Sequence, residues 1–61
     1  MYTKGQTFSD GETYWTISDI DYDDEIIVYY CTNKYVPSIT RTFFEDVITN
    51  HLKYTEQHEV H

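Results

Sequence analysis

Residues 12–32 read ETYWTISDIDYDDEIIVYYCT, and the change of pattern within this stretch decides what the chain can fold into. Trp15 and Ile17 fall on one side and Thr16 and Ser18 on the other, which is the two-residue period of a half-buried strand. Ile20 breaks that parity, so a β-bulge or a strand end is expected at Ser18–Asp19. Asp21, Tyr22, Asp23 and Asp24 then read as the connection. The run from Glu25 to Thr32 is β-branched and aromatic and apolar on both faces, as the middle strand of a sheet would be.

Working outward, a short strand is expected around Gln6 to Phe8, closed by a turn at Ser9, Asp10 and Gly11, where an Asp side chain and Gly backbone freedom suit reversal. Downstream, a turn at Asn33 and Lys34 leads into a short strand from Tyr35 to Ile39. Pro37 assigns that strand to an edge, because proline donates no ladder hydrogen bond. Phe44, Val47, Ile48 and Leu52 recur at helical spacing, and Phe43 widens the stripe. Thr42 and Glu45 fit a capping box, with Thr40 as the alternative cap, and Glu45 and Asp46 suit the positive end of the helix dipole. Asn50 would end the helix in the left-handed conformation, or the helix would run to about Lys53. Residues 54–61 lack periodicity and read as a frayed tail. The expected fold is α+β, a small antiparallel sheet or SH3-like roll of three to four strands covered by one C-terminal amphipathic helix.

The chain has 61 residues, enough for a single domain over 1–61 and for only a thin core. Aromatics compensate: Trp15, three Phe and seven Tyr make up 18% of the residues, and each buries a large area while Tyr keeps a polar end wet. Cys31 is the one cysteine, which rules out an intrachain disulfide and a closed four-thiolate zinc site and fits a reducing cytosol. The longest apolar run is Ile26 to Cys31, so neither a signal peptide nor a membrane span is expected.

The formal charge is −7, with four Lys and Arg against eleven acids. Direct nucleic-acid binding needs clustered bases to neutralise phosphates, so nucleic acid is excluded as a direct ligand. The same charge keeps a small protein soluble and attracts basic surfaces. The acids are also confined. Asp10, Glu12, Asp19, Asp21, Asp23, Asp24 and Glu25 are seven of the eleven and lie within residues 10–25, a stretch free of Lys and Arg. Uncompensated like charge costs stability in a domain with little to spare, and that cost suggests a use.

Three chemical uses can be weighed. Asp19, Asp21 and Asp23 stand at the first, third and fifth spacing of a helix–loop–helix calcium site, but the sixth position is Asp24 rather than Gly and the twelfth is Tyr30 rather than Glu. The motif also lies between strand signals. His51, His58 and His61 offer no metal set either, since "HEVH" is one residue short of the His-Glu-x-x-His motif and His51 reads as a helix C-terminal residue favourable to the dipole. Cys31 ends an apolar strand, where a buried inert thiol is the usual case, and a domain this small has little room for a substrate pocket. No cofactor, no metal and no enzymatic activity are therefore expected.

A very short single domain in which "GQTFSDGETYWTI" opens a β-meander, an acid-rich hairpin follows and "RTFFEDVI" closes with a helix resembles the small acidic accessory proteins of phages and mobile elements. That resemblance covers the whole chain. It implies an inhibitor of host CRISPR or restriction nucleases, acting in some cases as a mimic of nucleic acid. Acids two apart on an extended strand lie about 6.6–6.8 Å from one another, of the order of a polyanion's spacing, and interleaved tyrosines supply interface anchors. The expected partner-binding residues are Asp10, Glu12, Asp19, Asp21, Tyr22, Asp23, Asp24 and Glu25, facing the basic surface of a larger nucleic-acid-handling protein in the host cytosol. The alternative is a module that self-associates through the Ile26–Cys31 sheet or the Tyr35–Ile39 edge. A third reading is a weakly metal-responsive domain.

Overall fold

In the computed structural model, which describes residues 2–59 and the side chains of 2–53, four strands precede one helix: β1 Thr7–Ser9, β2 Tyr14–Asp23, β3 Ile26–Asn33, β4 Thr40–Phe44 and α1 Glu45–Glu59. The strands form one antiparallel sheet in the order β1-β2-β3-β4, so each pairs with its neighbour in sequence and the fold is α+β. The sheet is open, because β1 and β4 are its two edges and do not pair with each other.

It is nevertheless strongly curled. Three strand spacings of about 4.8 Å separate the edges along the sheet, yet Phe8 of β1 meets Phe43 of β4 edge-on with ring centroids 5.1 Å apart. The two edges therefore lean over a common core on the concave side. Phe8, Trp15, Ile17, Tyr29, Cys31, Phe43 and, from the helix, Ile48 are buried there, with Tyr2, Ile20, Ile27 and Leu52 packed against them. Large aromatic groups let so short a chain fill this space, each buried side chain contributing about 1.5–3 kcal/mol.

The bulge falls where the parity of the sequence breaks. Ile17 pairs with Cys31 and Asp19 with Tyr30, so Ser18 is the extra residue of β2. Its hydroxyl donates to the Tyr30 carbonyl at 2.9 Å. Ile20 is thereby returned to the core side, opposite Tyr29.

Several boundaries differ from the sequence expectation. The β2–β3 connection is only Asp24 and Glu25, because β2 continues through Asp21, Tyr22 and Asp23, each paired across to β3. Asp24 makes the tight reversal with φ 53°, a left-handed conformation that Asp tolerates better than most residues. Tyr35–Ile39 is a loop rather than an edge strand. The Asn33 carboxamide accepts from the Tyr35 and Val36 amides at 2.9 and 3.0 Å, and the Asn33 amide donates to the Ile39 carbonyl, which closes the loop. The fourth strand then uses Thr40–Phe44.

That last shift overturns the capping box. Thr40 and Thr42 lie within β4, and the helix starts at Glu45, with Glu45 and Asp46 in its first turn as the dipole favours. Phe43 points into the core from a strand and Phe44 points to the opposite side, so neither belongs to the helix stripe. β-branched and aromatic residues at 40–44 suit either period, and the open edge of β3 decides for a strand. The helix also continues past Asn50 and Lys53 to Glu59, so residues 54–59 of the expected tail are helical and His51 lies within the helix rather than at its end. No Gly or Pro interrupts that run. His58 and His61 lie outside the described side chains.

Candidate protein-binding face

The bulge at Ser18 decides where the acids go. Beyond it, Asp19, Asp21 and Asp23 pair with Tyr30, Val28 and Ile26 of β3. Paired residues of an antiparallel sheet share a face. Since Tyr29 and Cys31 are buried on the concave side, this set occupies the convex side, away from the helix. The convex face thus carries an acid row on β2, an apolar row of Ile26, Val28 and Tyr30 on β3, and Thr42 and Phe44 on β4. Ile26, Tyr30 and Phe44 are 56, 42 and 55% exposed, unusual for side chains of this size.

The acids differ in their surroundings. Lys4 lies 3.4 Å from Asp19, both well exposed. The Ile20 amide donates to the Asp19 carboxylate at 2.9 Å, and this bond, followed by the Lys4 contact, holds the carboxyl below its ordinary pKa. Among the described residues, neither Asp21 nor Asp23 has a cation partner. Asp24 and Glu25 extend the row around the hairpin tip and are exposed. The five acids from Asp19 to Glu25 therefore form one continuous strip.

The other three expected partner residues are placed elsewhere. Tyr22 pairs with Ile27 on the side opposite the acid row and is 58% exposed. Asp10 and Glu12 sit in the β1–β2 turn, at the other end of a ten-residue strand from Asp23, some 30 Å away at about 3.3 Å per residue. Asp10 is already engaged. Its Oδ1 accepts from the Glu12 and Thr13 amides at 2.9 Å each, and its Oδ2 accepts from the Trp15 indole N–H at 3.0 Å, with Arg41 3.8 Å off. Burial works to raise this carboxyl's pKa, but the bonds from Thr13, Trp15 and Glu12 and the charge of His51 outweigh it and the net value lies below the usual range. Gly11, with φ 99°, supplies the left-handed step of this turn.

Sequence reasoning did not anticipate the organising role of Asp10, although Asp–Gly before an aromatic strand marks the turn itself. Nor did it anticipate the fastening of the N-terminal segment. The Tyr2 hydroxyl lies 2.6 Å from Thr49 Oγ1, the Tyr2 amide donates to the Tyr29 hydroxyl at 3.2 Å, and Tyr29 donates to Glu45 Oε1 at 2.7 Å.

Two depressions bear on chemistry. A cleft of about 390 Å³ along the β4 edge is lined by Asp10, Glu12, Arg41, Phe44, Val47 and His51 among others, but its Asp10 carboxylate is occupied by the turn. A second, of about 440 Å³, opens at the hairpin end of the sheet next to the start of the helix, where Ile26, Ile27 and Phe44 meet the carboxylates of Glu25, Glu45 and Asp46. Among the described residues no group of three or more His, Cys, Asp or Glu side chains is placed to hold a metal ion. Cys31 is buried, and burial pushes its thiol up to about 11, far from a reactive thiolate. No described helix is long and apolar enough to cross a membrane. Comparison with known proteins returned no matching family model, no similar curated protein and no similar solved structure.

Proposed function

We propose that this chain is a non-enzymatic, acidic protein-binding inhibitor that occupies the basic nucleic-acid-binding site of a nuclease or another DNA- or RNA-handling protein. The observation that carries the reading is the alignment of Asp19, Asp21 and Asp23 on one convex, helix-free face, continued by Asp24 and Glu25 at the hairpin tip. A convex strip of like charge enters a groove built for a polyanion, and acids at about 6.6–6.8 Å intervals offer Lys and Arg repeated partners. Charge of this kind also speeds encounter with a basic site.

The resemblance to phage and mobile-element inhibitors supports a CRISPR or restriction nuclease in the host cytosol as the target. Asp10, bound within its turn, Glu12 beside it at the far end of the sheet, and Tyr22 on the opposite face lie apart from the strip, so the contact rests on Asp19, Asp21, Asp23, Asp24 and Glu25. Capture from host-cell lysate on the immobilised protein, eluted first with duplex DNA and then with salt, tests the reading. Elution of a nucleic-acid-binding protein by DNA is the expected result. Retention of no such protein at low salt would overturn it.

A further inference from the structure

The convex face is more than a row of charge, because a second row of different chemistry runs beside it. Ile26, Val28 and Tyr30 lie directly opposite Asp23, Asp21 and Asp19, and Phe44 follows on β4 opposite Val28. Neighbouring strands lie about 4.8 Å apart. A Lys or Arg side chain has matching proportions: its aliphatic stem can lie on the apolar row while its charged head reaches the acid row. At the hairpin end of the sheet, a depression lined by Ile26, Ile27 and Phe44 together with Glu25, Glu45 and Asp46 again sets apolar side chains beside carboxylates.

Resting on the function proposed above, we infer that this face takes a basic amphipathic α-helix of the partner, laid along β3 with one ridge of Lys or Arg over the acids. Three strands' worth of face, from the acid row of β2 to Phe44 of β4, is about 10 Å wide, which is the diameter of a helix with its side chains. Along its length, helix residues four apart rise by about 6.0 Å, against about 6.7 Å between alternate strand residues. Cations at i, i+4 and i+8 therefore stay over Asp19, Asp21 and Asp23, within the slack of long side chains. Apolar residues one helix face over cover Val28 and Phe44.

A second copy of this chain is a poorer occupant. Two convex faces stacked on each other would bring together two sets of Asp19, Asp21 and Asp23, and Lys4 at Asp19 is the one cation the described structure places in this row. An extended basic segment would satisfy the acids, but its side chains alternate between two faces, so half of its cations would point away from them.

The test uses the whole protein and three probes: an Ala-based helical peptide with Arg at i, i+4 and i+8 flanked by Leu on the adjoining face, a scrambled peptide of the same composition, and polylysine as a basic chain without an amphipathic helix. Binding is followed by NMR amide shifts on β2 and β3. The helical peptide is expected to bind at least tenfold more tightly than the scrambled one. That advantage should be lost both in Asp21→Asn/Asp23→Asn and in Ile26→Thr/Phe44→Thr, whose folding is checked by the unchanged dispersion of the remaining amides. Equal binding of the two peptides, or an advantage insensitive to Ile26→Thr/Phe44→Thr, would overturn the inference. If polylysine binds at the acid strip while the helical peptide has no advantage, the basic-site reading stands and the helix is wrong. If neither polylysine nor either peptide binds, both fall.

Discussion

The hydroxyl of Tyr29, in a side chain with no measurable exposure, donates to Oε1 of Glu45 at 2.7 Å and so ties the centre of β3 to the first residue of the helix. The same oxygen accepts the Tyr2 amide. Removing it with Tyr29→Phe leaves the packing almost intact but strips the carboxylate of a buried donor. A loss of about 1.5–3 kcal/mol is expected, read by urea denaturation. Tyr2→Phe, which removes only the Tyr2–Thr49 bond, should cost about 0.5–1.5 kcal/mol.

The two ends of the pH range are governed by different groups. Asp10 is held below its ordinary pKa, so the unfolded chain binds that proton more readily. The stability it supplies is complete above the unfolded carboxyl value, near pH 4, and is lost as pH falls through the folded value. Tyr29 is raised by burial, with the Glu45 carboxylate adding to the shift, and Cys31 is raised to about 11 by burial. Their contributions are complete below the unfolded values and are lost as pH rises through the folded ones. Thermal melts should therefore show an acid limb weakened by Asp10→Asn and an alkaline limb weakened by Tyr29→Phe. Asp10→Ala, which orphans the Trp15 indole, should lower stability by about 1–3 kcal/mol at pH 7.

Cys31 offers a reporter of opening. With its thiol buried and its pKa about 11, a maleimide should label it at pH 7.5 only through unfolding, and the rate should rise by orders of magnitude in urea. Labelling of the folded protein at the rate of a free cysteine would contradict the burial.

The hairpin tip holds some strain. Asp24 adopts φ 53°, a region that costs a non-glycine residue about 1 kcal/mol or more. Asp24→Gly should leave stability unchanged or raise it by up to about 1 kcal/mol, whereas Asp24→Val should lower it by about 1–2 kcal/mol. Melting temperatures of the three proteins at pH 7 decide the matter.

Much of this fold was legible before the structure, and the reasons divide cleanly by residue. The parity break at Ile20 marks Ser18–Asp19 as a bulge or a strand end, and the continued pairing of β2 with β3 through Asp23 makes it a bulge. Glu25–Thr32 reads as the central strand because it is apolar on both faces, and it has a partner strand on each side. Thr40–Phe44 was misread because five residues of mixed β-branched and aromatic character do not distinguish a strand from a helix start, and the choice rests on β3's free edge. Of the acids, the alternation of Asp19, Asp21 and Asp23 was visible, but their common face depends on register. Asp10 was legible as a turn residue, but its bond to Trp15 was hidden, since nothing in the sequence says that a turn carboxylate will reach the indole. Tyr2's contact with Thr49 spans almost the whole chain and follows only from tertiary packing.

The most direct test of the acid strip is to compare the wild type with Asp19→Asn/Asp21→Asn/Asp23→Asn in the same DNA-eluted capture, after confirming equal melting temperatures. All three side chains are exposed, so a stability change within about 0.5 kcal/mol is expected. Loss of the DNA-displaced protein with the fold intact is the expected result. Undiminished capture by the neutralised variant would show that the convex acids do not make the contact.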